Sequence, residues 1–249
     1  MINANFNLLE IRPVAIRKIL IIALLMLVIP YPATAESILP SFTAEYRVKI
    51  SVLSGRLGMS LTQVDEHYIA RSTVAARGLT HLFIHGQIQE EADFTISDGS
   101  IKPNHYGSTD TIAGNDSAIA MDFDYVSARA IGTRNGDPFE LPINATAFDR
   151  LSLQYALMLA LMRDEKPDTF MLFDNGKSKQ LSITYLGPET ISVPYGKMAV
   201  QKIQHQTLDS DRVTTLWCAE ILAFFPVRIE QRRNGKLAMR AELTRYELD

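Results

Sequence analysis

Cysteine is almost missing. Cys218 is the single one in 249 residues, so no intrachain disulfide can form and the fold must rest on its apolar core. Apolar runs long enough to cross a bilayer, roughly 18 residues or more, are also lacking; Ile19 to Ile29 has 11. There is no excess of positive charge. With 25 basic and 28 acidic side chains the net charge is −3, which speaks against a nucleic-acid ligand, because neutralising phosphates takes a basic surface. The same balance speaks against broad adhesion to an anionic membrane, while leaving room for local basic patches. No HExxH, G-x-S-x-G, S-x-x-K or glycine-rich phosphate loop occurs. No cofactor is therefore implied, although a Ser-His-Asp triad stays open, since its members need not be neighbours in sequence.

What is present begins at the N-terminus. Arg12, Arg17 and Lys18 precede the run Ile19 to Ile29, Pro30-Tyr31-Pro32 ends any helix, and Ala33-Thr34-Ala35 offers small residues to a signal peptidase. Residues 1–35 are expected to be a cleavable signal peptide, cut before Glu36. Residues 36–249 then form a single β-rich domain of 214 residues with 22 basic and 27 acidic groups. No cysteine stands directly after the cleavage site, where a lipoprotein would need one, so the expected product is periplasmic, soluble and not a lipoprotein, with no transmembrane span left. Cys218, in the alternating segment Thr214 to Cys218, reads as a buried, inert thiol.

Period-two alternation dominates the rest. Phe42, Ala44, Tyr46, Val48, Ile50 and Val52 are apolar, with Thr43, Glu45, Arg47, Lys49 and Ser51 between them, which is a strand with one buried face. The pattern returns in residues 88–96 and 119–125, and more weakly around 180–186, 198–207, 213–219, 226–232 and 237–247. Asn135-Gly136, Asn175-Gly176 and Asn234-Gly235 signal tight hairpins, and Asp98-Gly99 and Tyr195-Gly196 further turns. About ten antiparallel strands in a meander tend to curl, because twist accumulates and open edges invite aggregation. Thr146 to Arg163 has no Gly or Pro and is rich in Leu, Ala and Met, which predicts one long helix capped by Asn144 or Thr146 and closed by Pro167. Its last turns are apolar all round and demand burial on most sides. The expected fold is mainly β: a curled antiparallel sheet or half-open β-barrel with one long helix packed on or in its concave face. Residues 36–43 read as a loose lead-in and Asn104 to Asp116 as a loop.

A series of short segments carries a family likeness. Asp149-Arg150-Leu151-Ser152 and Phe173-Asp174-Asn175-Gly176-Lys177 come first, followed by Tyr185 to Gly196 and Thr215-Leu216-Trp217. Phe225 to Glu230 and Ala241-Glu242-Leu243 complete the second half. Ala76-Arg77-Gly78-Leu79 and Gly99 to Pro103 add to it from the first half. In order and spacing these resemble the bacterial periplasmic family called domain of unknown function 3108, over nearly all of residues 36–249. The resemblance implies an exported, β-rich protein and no particular chemistry. A fainter architectural similarity is to the half-open barrels of lipoprotein carriers of the LolA and LolB type.

Candidate sites are few. His81 and His85 share a strand face about 13 Å apart, or one helical turn where they could share an ion; His67, His105 and His205 have no motif spacing, and no metal site is expected. Asp122 and Asp124 lie close enough for glycoside hydrolysis, as any i, i+2 strand pair does, and a wet strand face explains them. Asn115-Asp116-Ser117 and Asn144-Ala145-Thr146 fit an acceptor sequon but read as turn and cap. The remaining feature is apolar. Met158, Leu159, Leu161 and Met162 on the helix, with Phe83, Met121, Phe123, Tyr125 and Trp217 on strands, either fill the space between helix and sheet or line a cavity there. The expected role is non-catalytic binding of a lipid-like or other apolar ligand. An envelope protein-interaction module and a hydrolase of an envelope polymer are the alternatives.

Overall fold

In the computed structural model, which describes residues 39–114, 116–143, 146–208 and 210–249, alternation becomes fifteen strands and one helix. The signal segment expected over residues 1–35, and Asn115 and Asn144, lie outside the described residues. The strands are β1 (Phe42–Ile50), β2 (Leu53–Val64), β3 (His67–Ala76), β4 (Gln87–Ser97), β5 (Ser100–Asp110), β6 (Ser117–Asp124), β7 (Arg129–Arg134) and β8 (Asp137–Pro142). They continue as β9 (Ala147–Phe148), β10 (Thr169–Asp174), β11 (Lys177–Val193), β12 (Gly196–Thr207), β13 (Arg212–Ala219), β14 (Phe225–Arg233) and β15 (Lys236–Leu248). The helix, α1, spans Ser152–Met162. One sheet contains every strand in the order 8-7-6-5-4-3-2-1-15-14-13-12-11-10-9. The first eight strands run outward from the middle as a meander, the chain crosses to the opposite edge, and the rest return until β15 pairs antiparallel with β1. Among the described residues only β9 and β10 pair parallel.

The expected antiparallel meander is present with more strands than the alternation announced. Of the loop expected over Asn104 to Asp116, residues 104–110 belong to the strand Ser100–Asp110, whose concealment has a physical cause. Asn104 is an extra residue opposite the Asp93/Phe94 step, so the buried set moves from Ile101 and Pro103 to Tyr106 and the period breaks. Four further bulges, at Glu45/Tyr46, Tyr185/Gly187, Trp217/Cys218 and Gln231/Arg232, bend the sheet in the same way. The three Asn-Gly pairs have positive φ at both residues, as type I′ turns require.

The sheet curls without closing. Phe123 of β6 stacks on Phe173 of β10, with ring centroids 5.9 Å apart, so strands near opposite edges face each other. Phe139 of β8 reaches the β10–β11 turn, where a Cβ on Gly176 would stand 3.2 Å from its ring. What keeps β8 from completing the ladder is its sequence. The two-residue turn makes Arg134 and Asp137 a hydrogen-bonded pair, and the Ile143 amide donates to the Ala128 carbonyl in the same phase. Pro138, Glu140 and Pro142 therefore direct their backbone outward, and two of those three residues have no N–H to offer. Replacing both prolines (P138T/P142T) is expected to restore the missing donors and to cause concentration-dependent self-association through β8. Sedimentation velocity reads this out, and a double variant that stays monomeric would contradict it.

The helix begins later than its composition suggested. Ala147 and Phe148 pair with Met171 and Leu172, and Asp149 rather than Thr146 supplies the cap. Asp149 Oδ1 accepts from the amides of Leu151 (2.8 Å) and Ser152 (2.9 Å), while Ser152 Oγ accepts from the Asp149 amide. From Tyr155 to Leu161 every residue is buried. Tyr155 meets Phe42 of β1 and Phe94 of β4. Leu157 and Leu161 join Leu181, Ile183, Ile203, Leu216 and Cys218 from β11, β12 and β13. The helix thus touches both meanders, which explains why it needs apolar residues on all sides.

Candidate functional site

Where the helix ends, the packing leaves room. A cleft of about 500 Å³ opens between the last turns of α1, the Asp98-Gly99 turn and strands β9 and β10. Its floor is apolar: Ile101, Phe148, Ala156, Leu159, Ala160 and Phe170. Its rim carries Ser100, Thr146, Arg163, Glu165, Thr169 and Gln180. Arg163 donates to the Gly99 carbonyl, which pins the helix end to the β4–β5 turn. The small side chains of Ala156 and Ala160 make the space; larger residues there would fill it.

Of the nine residues singled out from the sequence, Leu159 lines this cleft. Met158 and Met121 are buried in the main core, and Phe123 is buried under its stack with Phe173. Leu161 belongs to the second cluster with Cys218. Met162 and Tyr125 are partly exposed, and the Tyr125 hydroxyl donates to the Pro103 carbonyl at 2.9 Å. Phe83 is 82 % exposed. Trp217 is buried in the main core cluster and also meets charged side chains. Its indole donates to Glu189, and Lys202 and Arg228 stand 5.2 and 5.5 Å from the ring centroid.

A polar knot occupies the other end of the helix. Glu90 lies in the inward phase of β4 with Ile88, Ala92, Phe94 and Ile96. It accepts from the Tyr106 hydroxyl at 2.7 Å, and Arg150 Nε stands 3.4 Å away. Nearby Lys179 meets Asp174 at 2.5 Å. Beneath them Asp149 is fully buried, and burial pushes its carboxyl up to about 6 despite the amides that favour its charged form. Asp149 Oδ2 and the Tyr155 hydroxyl are buried without a hydrogen-bond partner. The sequence held a signal for Glu90, a carboxylate on the apolar phase of a strand, whereas Asp149 gave none beyond its place before a helix.

The other sequence candidates resolve into structural roles. Asp124 accepts from the Val126 and Ser127 amides and the Ser127 hydroxyl, which hold its carboxyl below the ordinary range, so it closes the β6–β7 turn. Asp122 bonds His105 at 2.7 Å on an exposed face. The His81 and His85 rings lie 5.6 Å apart, in and just beyond the 3-10 turn Gly78–Leu82. Among the described residues no group of three His, Cys, Asp or Glu side chains is placed to hold a metal ion. Burial pushes the Cys218 thiol up to about 12, which leaves it protonated and unreactive. No described helix is long and apolar enough to cross a membrane.

This mainly β architecture, one open sheet with a single α-helix, has relatives. The family model described as a protein of unknown function (DUF3108) matches residues 41–242. The chain belongs to the DUF3108 family. No curated protein matches it. Among solved structures, the DUF3108 chain is similar to a β-barrel-like protein of the domain of unknown function DUF1849 from Brucella abortus. The TM-score is 0.58 and the identity 10 %, over 85 % of this chain and 98 % of that one. At that identity the likeness concerns the fold alone. A Bacteroides fragilis protein with a YmcC-like fold overlaps more loosely, with a TM-score of 0.37 and 13 % identity over 84 % of this chain and 98 % of that one.

Proposed function

We propose that this DUF3108 chain is an exported periplasmic protein, delivered by the segment 1–35, that binds a lipid-like ligand without catalysing a reaction. In this reading the helix packs on the concave face of the curled sheet, and the ligand's apolar chain lies in the cleft at its C-terminal end. The observation that carries the reading is the cleft itself, about 500 Å³ with an apolar floor and a polar rim. That volume falls within the range of small-molecule sites. Such a site needs no cofactor, since each buried CH₂ contributes about 0.8 kcal/mol. The rim residues Arg163, Thr169 and Gln180 keep a polar head in water while the chain is covered.

Displacement of a dansyl-labelled fatty acid tests this. The unaltered chain is expected to bind the probe. A160F, which fills the floor, and T169W, which narrows the exposed rim, are expected to weaken binding by about tenfold or more. Failure of the unaltered chain to bind the probe, or equal binding by all three proteins, would remove the proposal. T169W guards against misfolding of A160F, because Thr169 is exposed.

A further inference from the structure

At the start of β4, the end away from the cleft, the molecule exposes what a folded chain normally hides. Val52 is 91 % exposed, Phe83 82 % and Leu79 79 %. Ile50 and Leu53 beside them are also exposed. These residues come from two segments held together, the β1–β2 tip and the 3-10 turn Gly78–Leu82 with Phe83 directly after it. The Arg77 amide donates to the Ser54 carbonyl, and the Ser54 amide donates to the Thr80 hydroxyl, both at 3.0 Å. Strain does not account for the exposure, because neither segment needs large apolar side chains to make its turn. A polar residue at any of the three tips would serve the fold equally well.

Charge gives the patch its character. Residues 46–64 and 67–89 contain no Asp or Glu, although the whole chain has more acidic than basic groups. Of the five cations there, Arg47, Arg56 and Arg71 pair with Glu242, Glu45 and Glu91 on neighbouring strands, whereas Lys49 and Arg77 flank the apolar tips with both side chains exposed. Apolar side chains at the extremity and cations set behind them are the arrangement that seats a protein in the headgroup layer of an anionic bilayer. A protein partner would be met better by a flatter, larger surface, whereas these are projecting tips.

We infer that the tips carrying Val52, Leu79 and Phe83 dock this chain onto an anionic phospholipid surface. The site lies at the opposite end of β4 from the cleft and stands independently of what the cleft holds. Docking there leaves the cleft free of the membrane.

Co-sedimentation of the protein with vesicles tests the inference. Binding is expected to an equal mixture of phosphatidylglycerol and phosphatidylethanolamine, to weaken as salt rises, and to be at least about tenfold poorer on phosphatidylcholine alone. The triple variant V52S/L79S/F83S and the charge-reversed K49E/R77E should each lose about tenfold or more while melting like the parent, because all five side chains are exposed. The cleft variant T169W should bind vesicles normally, so loss of fatty-acid binding and loss of vesicle binding are separable. No binding to anionic vesicles at low salt, or a triple variant that binds like the parent, would overturn the inference and leave the tips to a protein partner.

Discussion

Gly132→Ala should be among the most damaging single-methyl additions in this molecule, with a loss of about 3 kcal/mol of stability. A Cβ at Gly132 would stand 2.1 Å from the Ala120 carbonyl oxygen, 3.0 Å from Met121 Cα and 2.8 Å from the Phe139 ring. Two of those three atoms are backbone in the neighbouring strand β6 and cannot rotate away. The third belongs to the side chain that bridges β8 to the Gly176 turn, so the added methyl also pushes on the seam between the sheet's edges. Gly58→Ala is the matched control. Nothing lies within 4 Å of its Cβ position, and the change should be close to neutral. Urea denaturation of both variants gives the comparison, and equal midpoints would refute the close approach at Gly132.

Acidification should reveal two opposed titrations. Asp149 has its folded-state pKa raised to about 6 from an ordinary 3.8. Between those values the native state binds a proton that the unfolded chain does not, so stability rises as pH falls from about 6 toward 4. The size is about 3 kcal/mol, from roughly two pH units at about 1.4 kcal/mol each. His205 works the other way. Burial lowers its pKa to about 4 from 6.5, so the unfolded chain takes up the proton first and stability falls as pH drops through 6.5. The parent should therefore show a shallow pH profile made of two steeper ones. D149N keeps the Oδ1 acceptor that caps the helix and removes the first titration, so its stability should only fall on acidification. H205Q should show only the rise. Parallel profiles for parent and both variants, measured as urea midpoints across that pH window, would contradict the assignment.

How much of this was legible beforehand depended on whether a segment kept its period. Phe42–Ile50 alternates without interruption and was readable as a strand, and the Asn-Gly turns were readable because their backbone demands are local. Ser100–Asp110 was not, because the bulge at Asn104 reverses the phase half-way and leaves a polar-looking string. Leu53–Val64 was missed for a different reason: its two glycines and scattered serines present little apolar alternation, and the neighbours β1 and β3 define it. The helix was readable from composition, but its start was not, since Ala147-Phe148 pairs with a strand more than twenty residues later. Tertiary pairing overrode local propensity there. The same limit applies to the site. Leu159 was found because a greasy helix must face something, whereas Phe148 and Phe170 come from the paired strands β9 and β10, and Ile101 from the distant strand β5 that the curl brings to them. The edge prolines show the converse. Pro138 and Pro142 are visible in the sequence, yet their meaning depends on the hydrogen-bonding phase set by the Asn135-Gly136 turn.

The most direct measurement for the central claim is native mass spectrometry of the chain purified without denaturant, compared with A160F and T169W. A bound acyl-chain mass on the parent, released on unfolding and depleted in both variants, is the predicted result. A parent that carries no added mass and takes none up from fatty acid supplied in excess would contradict it.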